Sequence, residues 1–488
     1  MKTTRLVNAL NDRMNPLVVK ELRQSARSRV FIVTLTIFLG ILLFIMGIIV
    51  SEHTSSSSGR ASFTSVLAVL LLATMLFVPF YSATRLALER LGDNMDLLYI
   101  TTLPPHKIVR GKWMAGMMLV ILFFSAALPF LCLSYFLRGV DLPTILLLSI
   151  FAFIIVGTLL QAALCLAALL RSRIGMILLG LSTLVPLFSL YSMTMEIMDR
   201  MNSQGAGYLF ISGEYWPEVG AFLLVDLFVF LAFYKINIAL IKPQAMDRAK
   251  PVRLFLFFGW ATIMGIFSLT SNSDLALTWM AIGVLITTLS TLIACSERDR
   301  PGRRVLADPP GNPLKRALLF PFSSGAANGI AWSFIMMISV YIFIDLNDPS
   351  KSELDQNNTL GSMLNIFCYV LTAHFIQRTF LIPRFKKITM QKTWITAIVL
   401  CALGSLLPLL GVFMLSGGHV SESNSLNLLF LPSLGLLFNN HYSNAALGTT
   451  VLWFIIMVVM EMNWLIARFN EYMKGNEASN ENMDWENP

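Results

Sequence analysis

Charged residues are scarce in this chain. They make up 13% of the 488 residues, and 56% of the residues are hydrophobic, whereas soluble domains carry about 25% charged residues. This composition excludes a soluble globular protein and predicts a polytopic membrane protein. The net charge of +8 does not indicate a nucleic-acid-binding surface, because the Lys and Arg side chains collect in polar loops between apolar segments.

Motifs for nucleotide, metal and enzyme chemistry are also missing. A P-loop ends in Gly-Lys-Ser/Thr, but the only Gly-Lys pair, Gly111-Lys112, is followed by Trp113. Neither His-Glu-x-x-His nor Gly-x-Ser-x-Gly occurs. The five cysteines lie in or at the edges of apolar segments, and no pair has Cys-x-x-Cys spacing. We therefore expect no catalytic residues, no metal site and no cofactor bound by this chain.

Apolar segments long enough to cross a bilayer recur along the whole sequence. About 20 apolar residues cross the hydrocarbon core as a helix, because a helix satisfies all of its own backbone polar groups. Twelve segments fit this template: 30–50, 61–83, 113–137, 142–170, 174–195, 219–241, 254–271, 275–296, 327–346, 360–381, 395–415 and 445–467. The predicted fold is an all-α transmembrane bundle of about 12 spans.

The placement of Lys and Arg predicts the orientation. With the N-terminus inside, 32 of the 36 Lys and Arg fall on the cytoplasmic side, and the outer side holds only Arg60, Arg138, Arg200 and Lys351. Cytoplasmic loops carry such an excess, so both termini are expected in the cytoplasm and the protein in the inner (cytoplasmic) membrane.

This topology predicts a division of the chain into segments. A cytoplasmic N-terminus (1–29) precedes a six-span core (30–241), and a second six-span half (254–467) precedes a disordered cytoplasmic tail (468–488). Within the core, residues 196–218 form an outer loop, and its aromatic residues suit short helices at the outer interface.

The segment before the first span has the pattern of an amphipathic helix. Asn15 is suited to cap it and Pro16 to occupy its first position. Two stripes recur at helical spacing, a basic one of Lys20, Arg23 and Arg27 and an apolar one of Val18, Val19, Leu22 and Ala26. A helix of this kind is expected to lie on the inner leaflet of the bilayer.

A second organised polar segment, 84–112, follows the second span. A helix that begins at Arg85 should end at Gly92, because glycine is the commonest helix terminator. Residues 94–100 fit a further short helix, and Pro104-Pro105 follows. We expect a compact cytoplasmic element suited to docking on a partner.

Both segments carry patterns of a known family. The first reads Asn-Pro-x3-Lys-Glu-Leu-Arg-x3-Arg-Ser-Arg from Asn15 to Arg29. The second reads Glu-Arg-x-Gly-x3-Asp-Leu-Leu-x2-Thr-x-Leu-Pro-Pro-x2-Ile-Val-x-Gly-Lys from Glu89 to Lys112. Together they resemble the ABC-2-type permeases of ABC transporters, and the resemblance covers roughly residues 14–241.

The resemblance implies a connecting helix, a coupling segment and a partner. The connecting helix would use Asn15, Pro16, Lys20, Glu21, Arg23, Arg27 and Arg29. The coupling segment, docked on a separate cytoplasmic ATPase that holds ATP and Mg²⁺, would use Glu89, Arg90, Gly92, Asp96, Leu97, Leu98, Pro104 and Pro105. The second half repeats neither motif, and Asn312-Pro313-Leu314-Lys315 is only a faint echo, so a homodimer and a heteromeric permease both stay open.

Polar residues at membrane depth leave two interpretations open. Asp226 lies near the middle of the sixth predicted span, where a charge costs roughly 2.5–3.5 kcal/mol. It could belong to a translocation path with Gln161 and His374, or it could make an interhelical hydrogen bond to Gln161 or to a Ser or Thr. Glu461, in the last span, is expected to have a structural role.

The function expected is that of the membrane permease subunit of an ABC-type exporter. Two other classes fit the sequence less well. One is an ion-coupled secondary transporter or channel that uses Asp226, and the other is a membrane-embedded scaffold or enzyme. The organised cytoplasmic segment 84–112 favours the permease.

Overall fold

The structure is a computed structural model. It describes residues 16–51, 58–91, 104–137, 140–169, 187–188, 191–192, 194–196, 216–242, 246–269, 273–298, 312–347, 353–385, 392–415 and 444–474. Every regular element in these ranges is a helix. The chain folds as two compact units, Met1–Lys242 and Pro243–Pro488, which are described in turn.

The first unit begins with a short helix and continues with long ones. Its helices are α1 (Pro16–Ala26), α2 (Arg29–Ser51), α3 (Ser58–Leu72), α4 (Val78–Leu91), α5 (Pro105–Phe136), α6 (Leu142–Leu169) and α7 (Trp216–Ile241). A π-helical turn, Ala73–Phe77, joins α3 to α4 into one continuous rod. Such turns insert an extra residue into a helix and occur often at functional sites.

The described part of the second unit also consists of short and long helices. Its helices are α8 (Lys250–Leu269), α9 (Ser273–Ala294), α10 (Pro313–Leu319), α11 (Ala326–Asn347), α12 (Glu353–Ile376), α13 (Ile382–Arg384), α14 (Thr393–Leu415) and α15 (Asn444–Lys474). A second π-helical turn, Gln377–Leu381, joins α12 to α13. Asn312, which faintly resembles the N-terminal motif, caps α10. Its side chain accepts a hydrogen bond from the Leu314 amide at 3.0 Å.

Nine helices in the described ranges are long and apolar enough to cross a membrane: Arg29–Ser51, Gly59–Glu89, Pro105–Phe136, Leu142–Leu169, Trp216–Ile241, Lys250–Leu269, Ala326–Phe343, Met363–Arg384 and Gly448–Lys474. The prediction of a helical multi-pass bundle is confirmed. Two further predicted spans, 275–296 and 395–415, fall on the shorter apolar helices Trp279–Ala294 and Thr393–Gly404. The span 174–195 lies largely outside the described residues, so the total of 12 and the side of the termini stay predictions.

An aromatic cluster packs the first three membrane helices of the first unit together. Phe123 of α5 lies at its centre, fully buried. Phe31 and Phe38 of α2 and Phe77 of the π turn contact its ring edge-on, at centroid distances of 5.9, 5.1 and 6.1 Å. Because lipid tails are as apolar as these side chains, the geometry of the packing stabilises the helices against each other.

In the second unit two tryptophans connect α8 to α9. The Trp260 indole N–H donates to the Trp279 carbonyl at 3.4 Å, and the Trp279 indole N–H donates to the Trp260 carbonyl at 3.1 Å. Both side chains are fully buried. Gly283 permits this contact, since a Cβ at that position would lie 2.6 Å from Trp260 Nε1.

The last helix extends further than the sequence suggested. A tail was predicted from residue 468, but α15 continues to Lys474. Tyr472 is buried there, and its hydroxyl lies 2.9 Å from Ser323 Oγ. Phe320 also packs edge-on against Tyr472. These contacts extend the helix into a polar, Glu-containing stretch that composition alone had assigned to the tail.

Candidate functional site

The two segments that suggested a family meet in a buried cluster of charges. Glu21 of α1 and Lys112 of α5 are only 6% and 7% exposed. Lys112 Nζ donates to Glu21 Oε1 at 3.0 Å and to Glu89 Oε2, near the end of α4, at 2.6 Å. The Lys112 ammonium group therefore joins α5 both to α1 and to the end of α4.

Arg85 supplies the second cation of this cluster. Its Nη1 donates to Ser25 Oγ at 2.5 Å and lies 3.9 Å from Glu21 Oε2. Its guanidinium also lies over the Tyr81 ring, 5.5 Å from the centroid. Glu21, Glu89, Arg85 and Lys112 are named together below as the ion cluster.

The ion cluster is balanced in charge, and its stability depends on each of its members. It holds two carboxylates and two cations. Removing one partner from a buried pair costs about 3–5 kcal/mol, because the charge left behind has lost its water and its counter-ion. The cluster therefore stabilises one arrangement of α1, α4 and α5 and resists small displacements of any one of them.

The buried face of α1 combines one residue of the predicted apolar stripe with two polar residues. Val18, Glu21 and Ser25 are buried. Of the predicted apolar stripe, Val19 and Leu22 are half-buried and Ala26 is exposed. The polar residues turn inward because α5 presents Lys112 and α4 presents Arg85 at this level.

The remaining predicted residues of the two segments lie partly inside the described ranges. Pro16, Arg29 and Pro105 open α1, α2 and α5, and Pro104 precedes α5 in an extended conformation. Lys20 and Arg23 on α1 and Arg27 directly after it are exposed, and Arg90 lies in α4. Outside the described residues lie Asn15, Gly92, Asp96, Leu97 and Leu98, together with most of the loop 196–218.

The helix that carries Lys112 is fixed firmly to its neighbours. The Trp113 indole N–H donates to the Gly157 carbonyl of α6 at 3.0 Å. Its ring contacts Phe230 of α7 edge-on at 5.2 Å. One turn earlier, Ile108 and Val109 pack against Ile241 at the end of α7. A displacement at Lys112 would therefore reach two further membrane helices.

Asp226 has a hydrogen-bond donor on the neighbouring helix. Thr158 Oγ1 of α6 donates to Asp226 Oδ2 of α7 at 3.0 Å. Further along the same pair of helices, Asn237 Nδ2 donates to the Gln161 carbonyl at 3.1 Å. Both side-chain amide atoms of Gln161 are buried and bond to no residue in the described ranges. This pair of helices thus holds three polar side chains besides Asp226.

His374 belongs to a second buried cluster, in the second unit. Its Nδ1 lies 3.3 Å from Glu461 Oε1, and Arg378 Nη1 lies 3.1 Å from Glu461 Oε2. Trp464 packs against both side chains, 4.4 Å from the His374 ring and 5.3 Å from the Arg378 guanidinium carbon. Arg378 belongs to the π turn, so that irregular segment holds a partner of the buried carboxylate.

Sequence reasoning found most residues of the ion cluster but not their contacts. Glu21, Glu89 and Lys112 were singled out by the motifs, whereas the roles of Ser25 and Tyr81 were missed. One signal was present: a lysine at the start of an apolar span needs a carboxylate partner if it is buried.

In the described ranges no group of three or more His, Cys, Asp or Glu residues is placed to hold a metal ion.

Replacing Lys112 tests the ion cluster directly. Lys112→Met should lower the free energy of unfolding by about 3–5 kcal/mol, because it leaves Glu21 buried with only the more distant Arg85. Arg110→Gln is the matched control, since Arg110 is an exposed cation on the same helix turn, and it should change stability by less than about 0.5 kcal/mol. Thermal unfolding in nanodiscs measures both, and equal stability of the two variants would contradict the buried pair.

A double substitution tests the buried cluster around Glu461. Arg378→Leu should destabilise the protein by about 3 kcal/mol, since Glu461 is 3% exposed and loses the guanidinium group paired with its carboxylate. Arg378→Leu with Glu461→Leu should recover most of that loss, because two apolar side chains replace the pair. A double variant as unstable as the sum of the two single variants would show that the pair is not coupled.

Comparison with known proteins adds no assignment. No protein-family model, no curated protein and no solved structure matches this chain. The functional argument therefore depends on the chain's own residues, and first on the ion cluster.

Proposed function

We propose that this chain is the membrane-spanning permease subunit of an ATP-driven ABC transporter, an exporter of the ABC-2 type. It would work with a separate cytoplasmic ATPase that binds ATP and Mg²⁺. The observation that carries the proposal is the ion cluster. Glu21 comes from the first family-like segment and Glu89 and Lys112 from the second, and the three side chains meet in one buried contact.

The cluster gives such a subunit a means of transmitting force. The coupling segment leaves the membrane at α4 and returns at α5, and the cluster ties both ends to α1. A partner that pulled or pushed this segment would thus move α1, α4 and α5 together. Because Trp113 joins α5 to α6 and α7, the same movement would reach the polar residues around Asp226.

Energy transfer requires that the partner prefers one arrangement of these helices over another. In the proposed mechanism the ATPase subunits close on ATP and bind the coupling segment more tightly in that state. The difference in binding free energy re-orients the spans. The protein itself needs no nucleotide site for this role.

The contacts of Asp226 also favour a second candidate, an ion-coupled transporter. A carboxyl group near the middle of a predicted span, hydrogen-bonded to Thr158 on a helix that also buries the Gln161 amide, is a typical relay residue. Such a protein would respond to an ion gradient in the absence of any ATPase. We rank it second because it gives no role to the ion cluster.

Replacement of Asp226 separates the two candidates. Asp226→Asn should preserve insertion and stability, because the amide oxygen still accepts from Thr158, while ATP-dependent transport falls through loss of the charge. Thermal stability and transport in proteoliposomes measure the two effects. Transport that proceeds without the ATPase, follows an ion gradient and is abolished by this substitution would favour the second candidate.

The coupling segment provides the main test of the proposal. Leu97→Ala with Leu98→Ala should leave the protein folded in the membrane but weaken association with the ATPase by about 2 kcal/mol or more, roughly 30-fold in Kd. Apolar anchors that fill a groove carry most of an interface's binding energy, so transport should fall as well. The measurement is the amount of ATPase that co-purifies with the tagged chain.

Exposed leucines outside the segment provide the control. Leu128→Ala with Leu72→Ala removes the same number of methyl groups from side chains that are 57% and 48% exposed. This pair should leave ATPase association unchanged. If the wild-type chain binds no ATPase, or if the Leu97/Leu98 variant keeps full association and transport, the permease proposal fails.

A further inference from the structure

The outer side of α1 carries two stripes that the ion cluster does not use. Lys20, Arg23 and Arg27 are exposed and form a basic stripe. Val19 and Leu22, which are half-buried, and Ala26, which is exposed, form an apolar stripe beside it. Among the described residues, the basic stripe is exposed and the apolar stripe is only partly covered.

The stripes lie in a definite order around the helix. Successive residues of an α-helix are rotated by about 100°. The centre of the apolar stripe therefore lies about 100° from the buried face of Val18, Glu21 and Ser25, and the centre of the basic stripe lies about 100° further on. Around its circumference α1 thus has a protein-facing side, an apolar side and a cationic side.

The ion cluster fixes the rotation of α1 and so fixes where these stripes point. Glu21 is held by Lys112, and one turn later Ser25 is held by Arg85. The first membrane helix begins at Arg29, three residues after α1 ends at Ala26. The basic stripe is therefore held at the level at which the chain enters the membrane.

We propose that this outer side of α1 binds the anionic headgroups of the surrounding bilayer, with the apolar stripe inserted beneath them. A narrow apolar stripe next to a row of cations matches a membrane surface, where acyl chains and phosphates lie side by side. Clusters of Lys and Arg next to a membrane helix attract anionic lipids in the same way. The positive-inside distribution places the stripe on the leaflet that is rich in such lipids.

A protein partner is the less suitable occupant. Protein interfaces are centred on large anchoring side chains in well-packed pockets, whereas the apolar stripe of α1 offers one leucine, one valine and one alanine. The lipid proposal also stands without the proposed transport function, since it depends only on the faces of α1 and on Arg29.

The lipid contact has a consequence for the ion cluster. Headgroups that hold the outer side of α1 also hold Glu21 in position on its inner side. The bilayer would thus contribute to the arrangement of α1, α4 and α5. We expect anionic lipid to stabilise the first unit through this helix.

A fluorescent probe on α1 tests the proposal. Ala26→Cys, in a chain whose five native cysteines are replaced by alanine, is labelled with an environment-sensitive fluorophore. In nanodiscs with about one-third phosphatidylglycerol the emission should be blue-shifted and protected from acrylamide. In nanodiscs of phosphatidylcholine alone the emission should be red-shifted and quenched. Each lost cation–lipid attraction shifts the equilibrium between the membrane-bound and water-exposed positions of α1 about fivefold toward water.

A charge variant and a matched control sharpen this test. Lys20→Gln with Arg23→Gln and Arg27→Gln should abolish the difference between the two lipid compositions. Lys315→Gln with Arg384→Gln and Lys474→Gln removes three exposed cations from the second unit and should leave the difference unchanged. Equal emission of the unsubstituted helix in both lipids would overturn the proposal. A probe exposed in both lipids, and protected only when a protein partner is added, would assign the surface to that partner instead.

A second measurement avoids the cysteine substitutions. The thermal unfolding of the native chain should shift upward when phosphatidylglycerol is included, and the shift should vanish in the Lys20/Arg23/Arg27 variant. Glu21→Gln serves as a comparison, because it weakens the ion cluster but leaves the basic stripe intact. It should lower stability in both lipids and retain the response to phosphatidylglycerol. Loss of the response in Glu21→Gln together with its retention in the triple variant would contradict the proposal.

Discussion

The contact between Glu21 and Lys112 is the interaction on which the first unit depends. Neither side chain has enough water around it to exist as an isolated charge, so each requires the other, and Glu89 and Arg85 complete the balance. Because the four residues come from α1, α4 and α5, one electrostatic requirement fixes the positions of three helices. The aromatic packing around Phe123 then joins α5 to α2 and to the π turn that continues into α4.

The second unit satisfies the same requirement with other side chains. Glu461 bridges His374 and Arg378 between α15 and the rod of α12 and α13, and the reciprocal Trp260 and Trp279 hydrogen bonds join α8 to α9. In lipid, apolar contact alone discriminates weakly between partners for a helix. Polar contacts and shape then determine which helices pair. In both units, a buried carboxylate with two basic partners determines which helices pack against each other.

Hydropathy predicted nine of the spans, because the length and apolarity of a span are imposed by the bilayer and are local in sequence. Pro16 and Pro105 likewise predicted where helices begin. Periodicity identified the stripes of α1, but it carries no information on the side chains of other helices that hold its buried face. The pairing of His374 with Glu461, 87 residues apart, has no local signal at all. The extent of α15 beyond residue 468 depends on the contacts of Tyr472 with Ser323, 149 residues away, and with Phe320.

The distance along the chain between Glu21 and Lys112 has a consequence for biosynthesis. Lys112 is made 91 residues after Glu21, which corresponds to roughly 5–20 s of translation. During that interval α1 has left the ribosome, the first two spans are being inserted, and the carboxylate has no counter-ion from α5. The helix has to wait at the membrane surface with its charges in water. The contact between Glu21 and Lys112 therefore cannot form before the third span has emerged, and it requires that span to be in the correct register.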